Sequence, residues 1–209
     1  MNTLKLTPFI LVMLVMMSCS DDDEVAPLAE VEFTTFENLH APQEGGRGED
    51  ISGPFTKFDF ETGQITDSDT EWDIAFRGAT IAVNGGTETG TIDEPARTSE
   101  AGITIVNGTF EDITEIPEDT GFDQDSQNGF AIPTGSGNGW YNYDFTTNIL
   151  SPIPGKLLLI ETTDGNYAKV EILNYYEDAP SDIDPFQDES RYYTFRYAYN
   201  PNAGQVTFN

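Results

Sequence analysis

Apolar residues along this chain recur at every second position in short runs, and Gly, Pro, Asn and Asp break one run from the next. Period-two alternation marks strands with one buried face, and no stretch after the first twenty residues carries the three-to-four spacing of an amphipathic helix. The clearest unit is Lys156 to Leu173, KLLLIETTDGNYAKVEIL, where two strand-forming runs flank Asp164-Gly165. An Asp-Gly pair suits the two central positions of a type I′ turn, which needs φ > 0 at both. That turn sets a register in which Thr163 faces Asn166, Glu161 faces Ala168, Leu159 faces Val170 and Leu157 faces Ile172. The predicted core face is Leu157, Leu159, Val170 and Ile172, with Leu158, Ile160, Lys169 and Glu171 on the other side.

The same reading predicts strands over Val31–Phe36, Phe55–Phe60, Trp72–Arg77 with Ile81 and Val83 continuing it, Ile103–Val106, Trp140–Phe145, Arg191–Tyr199 and Gln205–Phe208. Trp72, Ile74 and Phe76 are expected on one face, as are Tyr193, Phe195, Tyr197 and Tyr199, and Tyr141, Tyr143 and Phe145. Between them lie a loop around Gly45, Gly46 and Gly48, expected to be mobile, and a polar surface loop over Thr87–Ala101. A long functional loop or cover over Glu111–Gly137 and an acidic excursion over Glu177–Ser190 complete the plan. The expected class is all-β: a single antiparallel β-sheet domain of about a dozen strands with long loops.

The first residues are of a different kind. Lys5 precedes an apolar run, Leu11 to Met17, that stops at Ser18-Cys19. The run is shorter than the roughly 20 residues of a membrane-spanning helix and ends on a small residue before cysteine, as a secretory signal does. Residues 1–18 are therefore expected to be a lipoprotein signal peptide, with Cys19, the chain's one cysteine, as the lipidation site. Residues 19–30 then form a tether that includes the acidic run Ser20-Asp21-Asp22-Asp23-Glu24, and residues 31–209 form the domain. With one cysteine, no intramolecular disulfide or thiolate metal site can form.

Charge narrows the partners. Nine Lys+Arg stand against 37 Asp+Glu, a net charge of −28, and such a surface repels nucleic acid and anionic lipid. Asp123-Gln124-Asp125-Ser126-Gln127-Asn128-Gly129 has some of the spacing of a calcium loop, but its Gly falls one position late and Thr134 stands where a bidentate Glu is needed. The acids Asp178, Asp182, Asp184, Asp188 and Glu189 form a second candidate cation site or, more simply, a solvated loop. No nucleophile pairs with a His base by sequence, no thiol chemistry is available and no phosphate-cradling Gly motif precedes a helix. A binding protein is expected, not an enzyme.

Four segments carry a resemblance in order: WDIAFRGATIAVNGG (Trp72–Gly86), GWYNYD (Gly139–Asp144), PIPGKLLLIETTDGNYAKVEILNYY (Pro152–Tyr176) and RYYTFRYAYNPN (Arg191–Asn202). Together they are similar to the HmuY-like haem-binding lipoproteins of Bacteroidetes. The resemblance implies an all-β fold, a lipid anchor in the outer membrane facing the cell exterior, and a haemophore's role in iron acquisition. Such a protein captures haem and passes it to a TonB-dependent outer-membrane receptor. The acidic run behind Cys19 likewise resembles the surface-export signal of lipoproteins in that group.

The resemblance also implies two axial His or Met ligands near the segment beginning Gly139-Trp140. Here one such position falls near Phe145, and the other falls within Glu115–Gly137, which contains neither His nor Met. All four Met precede Cys19, and His40 is the only histidine. The remaining metal candidates are Tyr141 and Tyr143 as tyrosinates and His40. In place of ligation, a cleft of Trp140, Tyr141, Tyr143 and Phe145 offers faces to stack a porphyrin or another flat apolar ligand, and the plainer reading of the same alternation is a core strand. The alternative is an acidic, haem-independent surface lipoprotein acting as an interaction module.

Overall fold

The computed structural model describes residues 27–46 and 48–209; the signal segment, Cys19 and the acidic run Ser20–Glu24 lie outside the described residues. The described chain has no helix. It forms thirteen strands: β1 (Glu32–His40), β2 (Glu44–Gly46), β3 (Glu49–Ser52), β4 (Thr56–Asp59), β5 (Gln64–Thr66), β6 (Ile74–Arg77), β7 (Thr80–Val83), β8 (Gly102–Asn107), β9 (Tyr141–Asp144), β10 (Ile149–Pro152), β11 (Lys156–Glu161), β12 (Tyr167–Tyr176) and β13 (Ser190–Asn200). The class is all-β, as the alternation implied. The strands are divided among four sheets and not joined in one: β1-β13-β12-β11-β8, β5-β4-β6-β7, and the hairpins β9–β10 and β2–β3.

The main core lies where the five-stranded and four-stranded sheets meet. Tyr193, Phe195, Tyr197 and Tyr199 of β13 are all buried, as their alternation predicts, beside Phe58, Phe60, Ile74, Phe76, Ile81 and Val83 of the smaller sheet. Phe58 stands edge-on to Phe195 at 5.3 Å, Phe60 edge-on to Tyr197 at 5.4 Å, and Phe76 lies 4.7 Å from Tyr193. Such pairs each add roughly 0.5–1.5 kcal/mol beyond the area they bury, so the aromatic face of β13 is the main adhesive between the sheets.

The β11–β12 hairpin forms, but its register is one residue off the sequence expectation. Thr162 N–H donates to Asn166 O (2.9 Å) and Gly165 N–H to Thr162 O (3.0 Å), which closes a three-residue loop with Gly165 left-handed at φ 73°. Leu158 therefore faces Val170 and Ile160 faces Ala168. A slip of one residue exchanges faces. Leu158, Ile160, Ala168, Val170 and Ile172 enter the main core. Leu157 and Leu159 pack on the opposite face, under Phe110, Ile116 and Phe208.

Lys169 lies on that second face, 2% exposed. Its Nζ donates to Phe110 O (2.6 Å) and Ile113 O (2.7 Å) and sits 4.1 Å from the centre of the Phe110 ring. The ammonium thus pins the start of the Glu111–Gly137 cover to the sheet, and burial lowers its pKa. Gln205–Phe208 is not a strand. It joins the cover through Ile116 N–H to Val206 O and Phe208 N–H to Thr114 O (both 2.8 Å), and buries Phe208.

Three further expectations change. Trp72 does not share a cluster with Ile74 and Phe76; it precedes β6 and packs on the outer face of the small sheet with Phe55, Ala75 and Ala82. The Gly45–Gly48 region carries the β2–β3 hairpin, where a Cβ on Gly45 (φ 70°) would lie 2.0 Å from Asp50 O, so only glycine fits. The Thr87–Ala101 loop is polar because it hides an ion cluster. Arg97 bonds Glu94 (2.5 Å) and Asp125 (2.7 Å), and all three side chains are at most 2% exposed.

Asp73 ties the two main sheets together. One carboxylate oxygen accepts from Phe60 N–H (2.8 Å), the other from Thr163 N–H (2.8 Å) and the Thr163 hydroxyl (3.0 Å). Burial outweighs these bonds and pushes its pKa from 3.8 up to about 6. Because the folded state holds this proton more tightly, its contribution is full below pH 3.8 and lost as pH rises through 6. Urea unfolding of wild type and Asp73→Asn at pH 3.5 and 7.5 is expected to show wild type gaining about 2–3 kcal/mol over the variant at the lower pH. A pH-independent difference would contradict the buried-carboxylate account.

Candidate functional site

The β9–β10 hairpin carries the sequence-predicted site and lies against β12. Leu150 faces Tyr143 across the hairpin, and Leu150 N–H donates to the Tyr176 hydroxyl (3.0 Å), which fixes the hairpin to the five-stranded sheet. The Tyr143 hydroxyl donates to Asn148 Oδ1 (3.0 Å) in the hairpin's own turn, where Asn148 is left-handed at φ 60°. Between this hairpin and the excursion after β12 opens a groove of about 550 Å³. Tyr143, Asn148 and Leu150 line it from the hairpin, Tyr175 and Tyr176 from β12, Pro185 and Phe186 from the excursion, and Ser190 and Arg191 from β13; Gln43 and Ala79 complete it.

The four predicted residues divide. Tyr143 lines the groove. Phe145 stands edge-on to Tyr143 at 4.9 Å and is 81% exposed. Tyr141 packs against Trp140 at 5.0 Å, and its hydroxyl accepts from Gly135 N–H. Trp140 is a core residue: it is buried, its indole N–H donates to Ala79 O (3.0 Å), and its ring lies 5.8 Å from Tyr175 and 5.1 Å from Tyr193. It supports the groove wall from behind and cannot stack a ligand. Tyr175, Tyr176, Phe186 and Arg191 are the site residues that strand alternation misses. The available signal was Arg191, the only base between Lys169 and Arg196, following a run of acids.

Electrostatically the groove is unlike the rest of the molecule. None of its lining residues is acidic, and Arg191 is its only base. Burial pushes the Tyr175 and Tyr176 phenols above their ordinary values, so both stay protonated at neutral pH. Protonated phenols offer hydrogen bonds and ring faces, not a phenolate for iron. His40 is exposed on β1 and stacks on Tyr192 at 4.5 Å, outside the groove. Among the described residues no three His, Cys, Asp or Glu side chains group to hold a metal. The calcium-like loop is committed internally, since Asp125 accepts from Val83 N–H, Ala131 N–H and Arg97. The groove offers ring faces and phenol hydroxyls, and its lining contains no His or Met pair to ligate iron.

A groove of comparable volume, about 510 Å³, lies on the outer face of the five-stranded sheet beside Phe33, Phe110 and Phe208. Its cations are already engaged, Lys169 by two carbonyls and Arg196 by Glu111 (2.7 Å) and Glu171 (2.6 Å). That groove is part of the cover's attachment.

Among protein families, the model described as HmuY protein matches residues 54–197, well over half of the chain and including every strand around the groove except part of β13. The chain belongs to the HmuY family. The similar solved structures include an apo HmuY analogue from Tannerella forsythia, 13% identical with TM-score 0.47, covering 84% of this chain and 99% of that one. A Bacteroides fragilis protein described as a lipoprotein is 15% identical with TM-score 0.48, covering 83% and 92%. A Bacteroides vulgatus protein described as an HmuY-like haem-binding protein is 14% identical with TM-score 0.39, covering 83% and 93%. No curated protein matches. The HmuY assignment agrees with the resemblance carried by Trp72–Gly86, Gly139–Asp144 and Pro152–Tyr176, all inside the matched range.

Proposed function

We propose that this HmuY-family protein binds haem or a related flat ligand in the groove between the β9–β10 hairpin and β12–β13. In this reading it is a lipoprotein anchored through Cys19 to the outer membrane and facing the exterior, a binding protein and not a catalyst. It hands its ligand to a TonB-dependent receptor. The observation that carries the reading is the groove itself: 550 Å³, walled by tyrosine and phenylalanine rings and free of carboxylates, in a chain of net charge −28. A flat ring system laid there covers the groove-lining atoms of Tyr143, Tyr175, Tyr176 and Phe186.

The test is a haemin titration of the purified protein followed at the Soret band, with free haemin as reference. A saturable one-to-one change is expected. A titration indistinguishable from free haemin would end the haem reading and leave the acidic interaction module in its place.

A further inference from the structure

Most cations among the described residues are spoken for. Lys57, Arg97 and Arg196 sit in ion pairs with carboxylates. Arg77 is buried and donates to Gly53 O, Ile92 O and the Thr91 hydroxyl, and Lys169 is closed over by two carbonyls. Arg191 differs. It makes no ion pair with any described carboxylate, although the chain carries 37 of them, and it lines the one aromatic groove that has no acid in its wall. One Nη donates to Gln43 O (2.6 Å), and both Arg191 and Tyr175 line the groove. A guanidinium has five N–H donors in a planar fork, so several remain for a carboxylate, which the fork grips with two parallel bonds.

The backbone makes the same point. Arg191 is held at φ 74°, and its carbonyl accepts from Ala41 N–H (2.8 Å). A left-handed conformation is strained for a residue with a Cβ, and glycine would avoid that strain. Keeping a long cationic side chain at such a position, beside Tyr175 and Tyr176, favours a use for the guanidinium.

Resting on the proposed function, we infer that Arg191 anchors a carboxylate of the bound ligand, and that the ligand is recognised as a flat, carboxylated ring system and not through its metal. Arg191 is a binding residue in this scheme, with the tyrosine and phenylalanine rings supplying the contact area. In a molecule whose field repels anions, one unpaired guanidinium beside an acid-free wall is what lets an anionic ligand settle.

The experiment compares haemin, metal-free protoporphyrin IX and protoporphyrin IX dimethyl ester on wild type, Arg191→Gln and Arg191→Lys, by quenching of intrinsic fluorescence, with urea midpoints to confirm folding. Haemin and protoporphyrin IX are expected to bind within about threefold of one another, since no iron ligand contributes. Arg191→Gln is expected to weaken both by about tenfold and leave the ester unchanged, while Arg191→Lys, which keeps the charge but loses the fork, falls between wild type and Arg191→Gln. Haemin binding far more tightly than protoporphyrin IX would overturn the metal-independent scheme. Binding that persists undiminished in a folded Arg191→Gln would overturn the anchor while leaving the groove reading intact. No binding of any of the three would sink both together.

Discussion

Replacing Arg97 with methionine is expected to cost about 3–5 kcal/mol of stability at pH 7.5. Methionine keeps the apolar stem, so most of the loss is the guanidinium's charge and hydrogen bonds. Arg97 Nη2 lies 2.5 Å from Glu94 and 2.7 Å from Asp125, and its Nε lies 3.1 Å from Asp125. Without the guanidinium, two almost fully buried carboxylates share one enclosure with only neutral donors. For Asp125, burial already raises the pKa against the pull of Ala131 N–H and Arg97. For Glu94, burial acts in the same direction but is outweighed by the Thr89 amide and hydroxyl, Arg97 and Thr91, so its carboxyl is held below the ordinary range. The two acids therefore respond differently. Removing Arg97 lets Asp125 take up a proton more readily as pH falls, and part of the lost stability returns. Urea unfolding of wild type and variant at pH 7.5 and 5 measures both effects. A loss below about 1 kcal/mol at pH 7.5, the size of an exposed pair, would mean the cluster is open to water.

Trp140→Ala is the second large loss, about 3–5 kcal/mol. The indole is 2% exposed, packed among Tyr141, Tyr175 and Tyr193, and its removal leaves a cavity together with an unpaired Ala79 carbonyl. Trp140→Phe keeps part of the packing and should fall between. By contrast, Phe145→Ala removes an exposed ring and should change stability by no more than about 0.5 kcal/mol. Denaturant unfolding of the three variants separates a supporting residue from a surface one. Equal losses for Trp140→Ala and Phe145→Ala would contradict the placement of both. Because Ala79 and Tyr175 also line the groove, the Trp140 variants should disturb it without Trp140 touching a ligand.

The sequence was legible where one face of a strand differs from the other. On β13, Tyr193, Phe195, Tyr197 and Tyr199 alternate with Thr194, Arg196 and Ala198, and the first four all face the main core. On β11 the signal vanishes. Leu157, Leu158, Leu159 and Ile160 are apolar on both faces, so the pattern accepts either register and the turn decides. Asp164-Gly165 reads as a two-residue turn, yet Thr162 closes a three-residue one, and the face assignment inverts with it. The candidate site was half legible for a different reason. GWYNYD marks the hairpin that forms one wall, but the groove is assembled from residues as far apart as Gln43, Ala79, Tyr143 and Arg191. No periodicity within a strand can report a wall made by four separate segments. Trp140 escapes the pattern because an aromatic residue at the start of a strand reads the same whether it faces ligand or core.

The edge position of β1 acquires a meaning when many copies share one surface. β1 pairs with β13 on one side only, which leaves the hydrogen-bonding groups of its other side unmatched, a template on which a second chain can dock in register. Glu32 and Glu37 on that strand, the break in pairing between Phe36 and Leu39, and a charge of −28 per molecule keep neighbours apart. That protection is colloidal, and it fades as pH falls towards the isoelectric point of about 4.1.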